Sequence, residues 1–348
     1  MAKILKQVAG IDVAQKELVV SLGRMDDSIE PDIYAFKTFA NKPSGFSALE
    51  VWIKKHTDKQ VKVRFVMEAT GVYHEKLAYH LSGLGYEVSI VLPNKINNYA
   101  KSLETKTVTD KTASQAICQF GLEKKISLWQ PPKKIFRDLK QLTRERNQII
   151  AERTVAKNQL HAENAEAFPN ERSIARLHQR IRLFNEQEKE IKADLAEIIK
   201  KDKELVEKIN NISTIPGVGK LTAIITMAET NGFNLIKSKK QIESYAGFDV
   251  KEKQSGSSVK GKSKISKRGN RHLRKAMYMP ALAAIRHDDR FKAVFIRLVS
   301  KHGIKMKAAV AVQRKLLGLI YIVWKTDIKY DPKFLNKVTE NEKVVINS

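Results

Sequence analysis

This sequence has little cysteine, little acid and no long apolar segment, and each shortage excludes a class of protein. Cys118 is the single cysteine in 348 residues, which excludes an intramolecular disulfide framework and a zinc site built on cysteines. The most apolar stretch, residues 308–324, is interrupted by the polar run 313–315, so no membrane span is expected. The first residues lack the apolar core of a secretory signal. We therefore expect a soluble protein of a reducing compartment, with no membrane partner.

The shortage of acidic side chains leaves a large positive charge. The chain has 64 Lys and Arg residues against 38 Asp and Glu residues, a formal charge of +26. Apolar residues at 42% and aromatic residues at 7% are typical of a folded protein, and the length predicts two or three domains. This charge makes a polyanion the expected partner, and nucleic acid is the commonest one.

The N-terminal third of the chain alternates between strands and helices. Apolar and β-branched runs predict five strands, at residues 7–14, 17–22, 33–39, 61–67 and 86–92. A short turn joins the first two as a hairpin. A helix is expected to start at Ser47, because Ser47 and Glu50 have the spacing of a capping box. Three strands followed by alternating helices and strands predict an α/β domain with a mixed sheet.

From Pro132 the pattern changes to long amphipathic helices, with a break near residues 168–170. The second of these helices has a heptad seam of apolar residues, and only Glu188 is out of step. The seam consists of Ile174, Leu177, Ile181, Phe184, Ile191, Leu195 and Ile198. The seam is typical of a coiled coil or helical hairpin, used either for association between copies or as a spacer packed on its own chain.

Three acidic residues stand out in or beside the predicted strands and helices. Asp12 interrupts the apolar first strand, Glu68 ends the fourth, and Asp110 would open a helix beyond the fifth. This order is the RNase H-like arrangement, in which the first and fourth strands are neighbours. Hard oxygen ligands of this kind suit Mg²⁺ or Mn²⁺. Each acid also has a simpler interpretation: Asp12 as a hydrogen-bonded turn residue, Glu68 as a surface acid, and Asp110 as a helix N-cap.

A dense basic segment lies between residues 251 and 275, where ten Lys and Arg residues accompany one acid, Glu252. This density predicts contact with the phosphates of a nucleic acid. The candidate binding residues are Lys260, Lys262, Lys264, Lys267, Arg268, Arg271, Arg274 and Lys275. Ser255 precedes a glycine in this segment and could attack a phosphate that the cations stabilise. Composition alone also fits a solvated Gly/Ser linker, and the spacing does not distinguish Ser255 from Ser257 or Ser258.

Residues 215–220 join two helical stretches through a glycine-containing turn. The turn resembles the hairpin of helix-hairpin-helix motifs, in which Gly217 and Gly219 would let backbone N–H groups meet a phosphate beside Lys220. The same turn also suits a packing corner. No GK[ST] phosphate loop is present at the required spacing, so no nucleoside triphosphate is expected as a partner.

These motifs together resemble one family. Residues 10–13 (GIDV), 68–73 (EATGVY), 92–94 (LPN) and 109–111 (TDK) resemble the RuvC-like domain of bacterial insertion-sequence transposases of the "one-ten" family, the DEDD type. The turn at 215–219 (IPGVG), residues 254–256 (QSG) and residues 265–270 (ISKRGN) resemble its C-terminal transposase domain. The resemblance covers nearly the whole chain in order, including the connecting coiled coil.

The resemblance implies the domain organisation. It predicts an α/β RNase H-like, RuvC-like metal-binding domain over residues 1–130 and a coiled-coil linker for dimerisation over 131–202. A mostly α-helical transposase domain with the glycine turn and the serine loop would follow over 203–330. A flexible tail would cover 331–348.

The resemblance also implies a recombinase guided by a structured bridge RNA that pairs with donor and target double-stranded DNA. Such an enzyme acts as a homodimer on each DNA and as a homotetramer when both are joined, in the bacterial cytoplasm at the nucleoid. Asp12, Glu68 and Asp110 match three of the four acids that hold the divalent metal. Ser255 matches the serine that attacks DNA and forms a covalent phosphoserine link. The acids and the serine of one site can come from different protomers.

One position departs from the family. The fourth acid follows the third by three residues, one helical turn on, and this sequence has Ala113 there. Either three acids and water suffice, or Ser114 assists, or Ala113 weakens or inactivates an enzyme that still binds nucleic acid. Two other functions fit the same residues: a RuvC-like Holliday-junction nuclease that hydrolyses DNA with metal alone, and a non-catalytic nucleic-acid-binding protein.

Overall fold

The structure is a computed structural model that describes residues 3–69, 71–103, 109–234, 236–251, 254–255, 259–260 and 264–332. The chain divides into two compact units, Met1–Pro131 and Pro132–Ser348, and each has its own buried core. A further division between residues 202 and 203 stays a prediction. Within the described parts, no helix has the length and apolar character needed to cross a membrane.

The first unit is built on a five-stranded sheet in the order β3-β2-β1-β4-β5. β1, β2 and β3 are antiparallel neighbours, whereas β4 runs parallel to β1 and β5 runs parallel to β4. This is the RNase H-like order that the sequence predicted, and the fold class is confirmed. The elements are β1 (Lys6–Val13), β2 (Glu17–Met25), β3 (Pro31–Ala40), α1 (Pro43–His56), β4 (Val63–Glu68), α2 (Glu75–Gly83), β5 (Glu87–Val91), α3 (Pro93–Ser102) and α4 (Asp110–Glu123).

Strand β1 lies at the centre of the sheet because both of its faces are apolar. Ala9, Ile11 and Val13 belong to the core that contains the apolar residues of α1 and α2. Val8 belongs to a second core with residues of α3 and α4. A strand that is buried on both faces has a continuous apolar run instead of an alternating one. Asp12 is therefore an acid that directly follows the apolar run of residues 8–11.

Helix α1 begins four residues before the predicted start at Ser47. Pro43 occupies its first turn, where a missing N–H costs little and the fixed φ angle favours the helix. The Ser47 hydroxyl donates to the Pro43 carbonyl at 3.3 Å, so it does not cap the helix. The prediction from the capping-box spacing was therefore wrong about where this helix starts.

The second unit is mostly helical, with four two-residue strands among the described residues. Its core joins residues of the long helix α5 to those of the shorter helices that follow. The elements are α5 (Lys134–Asn164), α6 (Glu171–Lys200), α7 (Lys203–Ile212), α8 (Lys220–Thr230), α9 (Lys239–Tyr245), β6 (Val250–Lys251), β7 (Gln254–Ser255), β8 (Val259–Lys260), β9 (Lys264–Ile265), α10 (Arg271–Ala276), α11 (Tyr278–His287), α12 (Asp289–His302) and α13 (Lys305–Thr326).

Helices α5 and α6 form an antiparallel pair, which we call the helix hairpin. Near its tip the Asn170 N–H donates to Glu163 at 3.1 Å, and Asn170 caps α6, so the predicted break is present. Leu177, Ile191 and Leu195 of the seam are buried. The seam thus packs within one chain, whereas association between copies stays a prediction.

Glu188, the residue out of step in the seam, is buried in a cluster of cations. It accepts hydrogen bonds from Arg146 at 2.7 Å and Arg153 at 2.6 Å, both on α5, and pairs with Lys192 at 3.0 Å. Burial alone would raise the pKa of Glu188. Hydrogen bonds from Lys192, Arg153 and Arg146 outweigh burial and lower the pKa to about 2. One carboxylate therefore ties the two helices together.

We expect Glu188→Gln to destabilise the helix hairpin by about 3 kcal/mol at neutral pH, because Arg146 and Arg153 would lose their countercharge. The folded pKa lies below the ordinary 4.5, so this stabilisation is present above about pH 4.5 and is lost as the pH falls towards 2. Thermal unfolding of both proteins across this pH range would show the difference shrinking. Glu197→Gln, which removes an exposed pair with Lys201, is the control and should change nothing measurable. A constant difference at all pH values would contradict the assignment.

Candidate active site

The sheet brings Asp12 and Glu68 to the same end of neighbouring strands. In the parallel pairing of β1 with β4, Ile11 lies opposite Met67, so the next residues, Asp12 and Glu68, come level. Side chains alternate between the faces of a strand. Gly10 and Val66 face α4, and Asp12 and Glu68, two positions further on, therefore face α4 as well.

Helix α4 approaches this face closely because glycines leave space for it. A Cβ atom on Gly10 would overlap the backbone of Cys118 on α4, and one on Gly121 would lie 2.7 Å from Val8. In the same contact, the buried hydroxyls of Ser21 and Ser114 are 2.7 Å apart. α4 is thereby fixed on the sheet, with its first residue, Asp110, at its N-terminus.

Asp110 is not the cap of this helix. Thr109 is the N-cap: its hydroxyl accepts from the Thr112 N–H at 3.2 Å, and the Thr112 hydroxyl in turn accepts from the Thr109 N–H at 2.8 Å. The interpretation of Asp110 as a simple N-cap is therefore wrong. The Asp110 side chain is exposed and free of a capping role.

The three carboxylates interact electrostatically. Burial raises the pKa of Asp12, and the negative charges of Asp110 and Glu68 raise it further, against a backbone hydrogen bond from Val13. Among the described residues, no group of three or more His, Cys, Asp and Glu side chains is gathered tightly enough to hold a metal unaided. Carboxylate oxygens are nevertheless ligands that suit Mg²⁺, a cation that takes one or two carboxylates and completes its shell with water or phosphate.

Ala113 and Ser114 follow Asp110 on α4, one turn later. The Ser114 side chain is buried and its hydroxyl is engaged with Ser21 and with the Lys111 carbonyl, at 2.7 and 2.8 Å. It points into the contact between α4 and the sheet. The structure therefore argues against Ser114 as a substitute for the fourth acid.

Cys118 lies at the centre of the same contact. Its thiol is 3.4 Å from the Val8 carbonyl, and burial raises its pKa to about 12, against a hydrogen bond from the Gly10 backbone. The glycines and the serine pair of this contact were missed from the sequence. Glycine inside a predicted strand was the available signal, because it marks a close approach of another backbone.

Ser255 belongs to the second unit, in β7, and we call the four short strands β6, β7, β8 and β9 the serine arm. At its base, Val250 of β6 pairs with Ile265 of β9. Further out, Ser255 of β7 pairs with Val259 of β8. The alternative nucleophiles Ser257 and Ser258 and the predicted phosphate ligand Lys262 lie outside the described residues, as do residues 333–348 of the predicted tail.

The base of the serine arm is fastened to the helical core by a buried glutamate that sequence reasoning missed. Glu229 of α8 accepts a two-point ion pair from Arg144 of α5, at 2.8 and 3.0 Å, and a hydrogen bond from Asn270 at 2.7 Å. Burial would raise the pKa of Glu229, but these hydrogen bonds outweigh it and the pKa is lowered. Asn270 also caps α10, so Glu229 links the exit of the serine arm to the helix hairpin.

The predicted phosphate-binding residues around this base differ in their exposure to solvent and in their hydrogen bonds. Lys264, Lys267, Arg268, Arg271 and Lys275 are exposed. Arg274 is half-buried and donates to the Ala246 carbonyl at 2.7 Å. Part of its guanidinium therefore serves to hold the loop. The side chain of Lys260 lies outside the described part of the structure.

The glycine turn at residues 215–220 is a packing corner at one end, whereas phosphate binding by the turn stays a prediction. A Cβ atom on Gly217 would overlap the Pro280 carbonyl of α11, and Gly217 has a φ of +81°, so this glycine is part of a packing corner. Gly219 has open space around it and directly precedes α8, whose first residue, Lys220, is exposed. Only the Gly219 end of the turn is open to a phosphate.

Comparison with known proteins gives the family. A DEDD transposase family model matches residues 9–169, and the model described as Transposase IS116/IS110/IS902 family matches residues 209–295. The pilin gene-inverting protein of Moraxella bovis is 30% identical over 301 residues, which cover 85% of this chain and 90% of that protein. The transposase for insertion sequence element IS1111A of Coxiella burnetii is 23% identical, over 74% of this chain and 76% of that protein.

Among solved structures, Thermus thermophilus RuvC in complex with a Holliday junction substrate is 9% identical, covering 36% of this chain and 99% of that chain, with a TM-score of 0.26. The fold assignment rests on the strand order of the sheet, β3-β2-β1-β4-β5. The fold and the sequence relationships define the class as a DNA transposase or recombinase with an RNase H-like domain. Within that class, the chain belongs to the IS116/IS110/IS902 family of transposases.

We expect Gly10→Ala to destabilise the first unit by about 1–3 kcal/mol, because the new methyl group would push α4 away from β1. Hydrogen exchange of peptides from β1 and α4 would measure the loss. Gly83→Ala is the matched control: a Cβ there meets open space, and alanine favours the helix by up to about 1 kcal/mol. Unchanged exchange in Gly10→Ala would show that the contact is looser than the structure indicates.

We expect Glu229→Ala to loosen the base of the serine arm, because Arg144 and Asn270 would lose their shared acceptor. Amides of residues 266–275 should exchange about 10- to 100-fold faster, as expected for the loss of hydrogen bonds to a charged group. Glu204→Ala, which removes the ion pair between the exposed Glu204 carboxylate and Lys208, provides the control. If both variants exchange like the wild type, Glu229 does not fasten the arm.

Proposed function

We propose that this transposase is a recombinase guided by a bridge RNA, which joins donor and target DNA by metal-dependent cleavage and strand exchange. The covalent intermediate is a phosphoserine at Ser255. The metal, Mg²⁺ or Mn²⁺, is held by Asp12, Glu68 and Asp110. The enzyme works in the bacterial cytoplasm at the nucleoid.

Two observations support the proposal: the register of β1 and β4, and the electrostatic surroundings of Asp12. Strand register brings Asp12 and Glu68 level, and both Asp110 and Glu68 raise the pKa of Asp12. A fold does not collect like charges around a half-buried carboxylate without cost, and a divalent cation offsets that cost. When bound, the cation would stabilise charge on the phosphate that is attacked.

The serine step conserves the energy of the phosphodiester. The Ser255 Oγ–phosphorus bond forms as one DNA ester bond breaks, and a DNA hydroxyl leaves with the proton that the serine gives up. Attack by a hydroxyl of the exchanging strand then reverses these changes and restores the serine. The exposed cations near the base of the serine arm, Lys264, Lys267, Arg268 and Arg271, support this step because they can bind the flanking phosphates.

We propose that assembly of several protomers completes the two-part site. The acids belong to the first unit and Ser255 to the second. In the proposed homodimer, and in the homotetramer that holds both DNAs, one protomer supplies the acids and another supplies the serine. The helix hairpin, with its half-exposed seam residues Ile181 and Phe184, is proposed as the dimerisation element.

The test is formation of a protein–DNA adduct that survives denaturation, with the bridge RNA, cognate donor DNA and Mg²⁺ present. We expect an adduct mapped to Ser255, none from Ser255→Ala, and none from Asp12→Asn or after chelation of the metal. Ser244→Ala, on α9 outside the serine arm, serves as the control and should react like the wild type. Cleavage without an adduct would instead favour a hydrolytic junction nuclease.

The same assay tests Ala113. We propose that Ala113 weakens the metal site, so Ala113→Asp should increase adduct yield at limiting Mg²⁺, with unchanged DNA binding. The added carboxylate would lie one helical turn from Asp110, where it can share the cation. Equal yields at every Mg²⁺ concentration would mean that three acids suffice and that the native chain is fully active.

A further inference from the structure

A lysine-rimmed cleft opens on the first unit, at the opposite end of the sheet from the acids. It has a volume of about 650 Å³ and is lined by the last turn of α1, the loop leading to β4, and residues 85–87 at the start of β5. Glu68 ends β4, whereas Val63 of the cleft begins it. The length of that strand, about 16 Å at the usual rise per residue, separates the cleft from the carboxylates.

The charge of this lysine cleft is strongly one-sided. Four lysines line it, and all four are exposed: Lys54, Lys55, Lys59 and Lys62. Glu87 is the one acid in its lining, and Arg64 already pairs with that carboxylate at 2.7 Å. The lysines therefore attract anions without an acid of the lining to neutralise them. Such a concentration of like charge favours a ligand that carries several negative groups.

The cleft also has an apolar wall, formed by Ile53, Val61, Val63 and Tyr86. The Tyr86 ring packs edge-on against Phe65, with the ring centres 5.1 Å apart, so its position is fixed by the core. A polyanion that displayed only phosphates would gain nothing from this wall. A ligand with phosphates and a flat, partly apolar group would use both parts.

The loop that carries two of the lysines is held by a buried side chain. Gln7, which is 1% exposed, donates to the carbonyls of Asp58 and Val61 at 3.0 and 2.8 Å and accepts from the Asp58 N–H at 2.8 Å. The amide is satisfied by this loop alone, and the loop is thereby ordered before any ligand arrives. Such preorganisation lowers the entropic cost of binding.

We propose that the lysine cleft binds a single strand of nucleic acid, with phosphates on the four lysines and a base against the apolar wall. Proteins bind single strands by this combination of a basic groove and an apolar or aromatic surface. In a duplex the bases are stacked inside, so they cannot reach the wall. A cleft of about 650 Å³ falls within the range of about 300–1,000 Å³ that is typical of ligand sites. Binding here does not depend on the proposed cleavage chemistry.

The first test measures affinity by fluorescence anisotropy with the full chain. The variant Lys54→Gln, Lys55→Gln, Lys59→Gln, Lys62→Gln is compared with a control in which the same charge is removed elsewhere: Lys292→Gln, Lys301→Gln, Lys305→Gln, Lys307→Gln. The probes are single-stranded DNA and RNA of about 12 nucleotides and a duplex of the same sequence. All lysines involved are exposed, and circular dichroism confirms that both variants are folded.

We expect the cleft variant to bind single strands at least about tenfold more weakly than the control. The slope of log affinity against log salt concentration should become shallower by about 0.7 for each phosphate that a lysine no longer neutralises. Duplex binding should fall equally in both variants. A greater effect on RNA or on DNA would identify which strand occupies the cleft. Equal weakening in both variants, or a duplex effect as large as the single-strand effect, would overturn the proposal.

The second test locates the strand. A single-stranded probe with a photoreactive pyrimidine is irradiated with the wild-type protein, and the crosslinked peptides are identified by mass spectrometry. We expect an adduct on Tyr86 or on the loop at residues 57–62, and its absence in the cleft variant. Crosslinks confined to residues 250–275 would overturn the proposal, since the strand would then lie on the basic segment of the second unit alone.

Discussion

The contact between α4 and the central strand is the constraint on which the rest of the first unit depends. Gly10 and Gly121 allow the backbones to approach closely. The buried hydroxyl pair of Ser21 and Ser114 opposes sliding of the helix, because a shift would break a hydrogen bond between two buried groups. The start of α4 is therefore presented by a rigid element. Strand register brings Asp12 and Glu68 level, and the packing of α4 fixes the helix whose first residue is Asp110.

Few acidic side chains are buried in the described part of the second unit, and each of these buried glutamates forms ion pairs with arginine from another helix. Glu188 holds Arg146 and Arg153, Glu229 holds Arg144, and Glu243 pairs with Arg314. The chain has a formal charge of +26 and therefore many more cations than acids. These ion pairs give the arginines involved a structural role. Exposed cations such as Lys264, Lys267 and Arg268 lie on the surface, where they are available to phosphates.

Patterns within one element were predictable from the sequence, whereas contacts between elements were not. The alternation of strands with helices and the order of the strands predicted the sheet. They also predicted the end of the sheet that carries Asp12 and Glu68. The partner of Ser114 lies 93 residues away, and no local pattern indicates it. Glu229 could have been found by the argument that singled out Asp12, because it too interrupts an apolar run. The prediction that α1 starts at Ser47 was wrong because Pro43 also favours a helix start and comes earlier. The sequence contained two local start signals and no rule that ranks one above the other.

The burial of Cys118 has a practical consequence. It is the single cysteine of the chain, it has no exposed surface, and its thiol is held in the unreactive protonated form. Maleimide reagents will therefore not react with Cys118 in the folded chain. A cysteine introduced at an exposed site can then be labelled selectively, without removal of Cys118. The slow rate at which Cys118 itself is modified would then report how often α4 separates from the sheet.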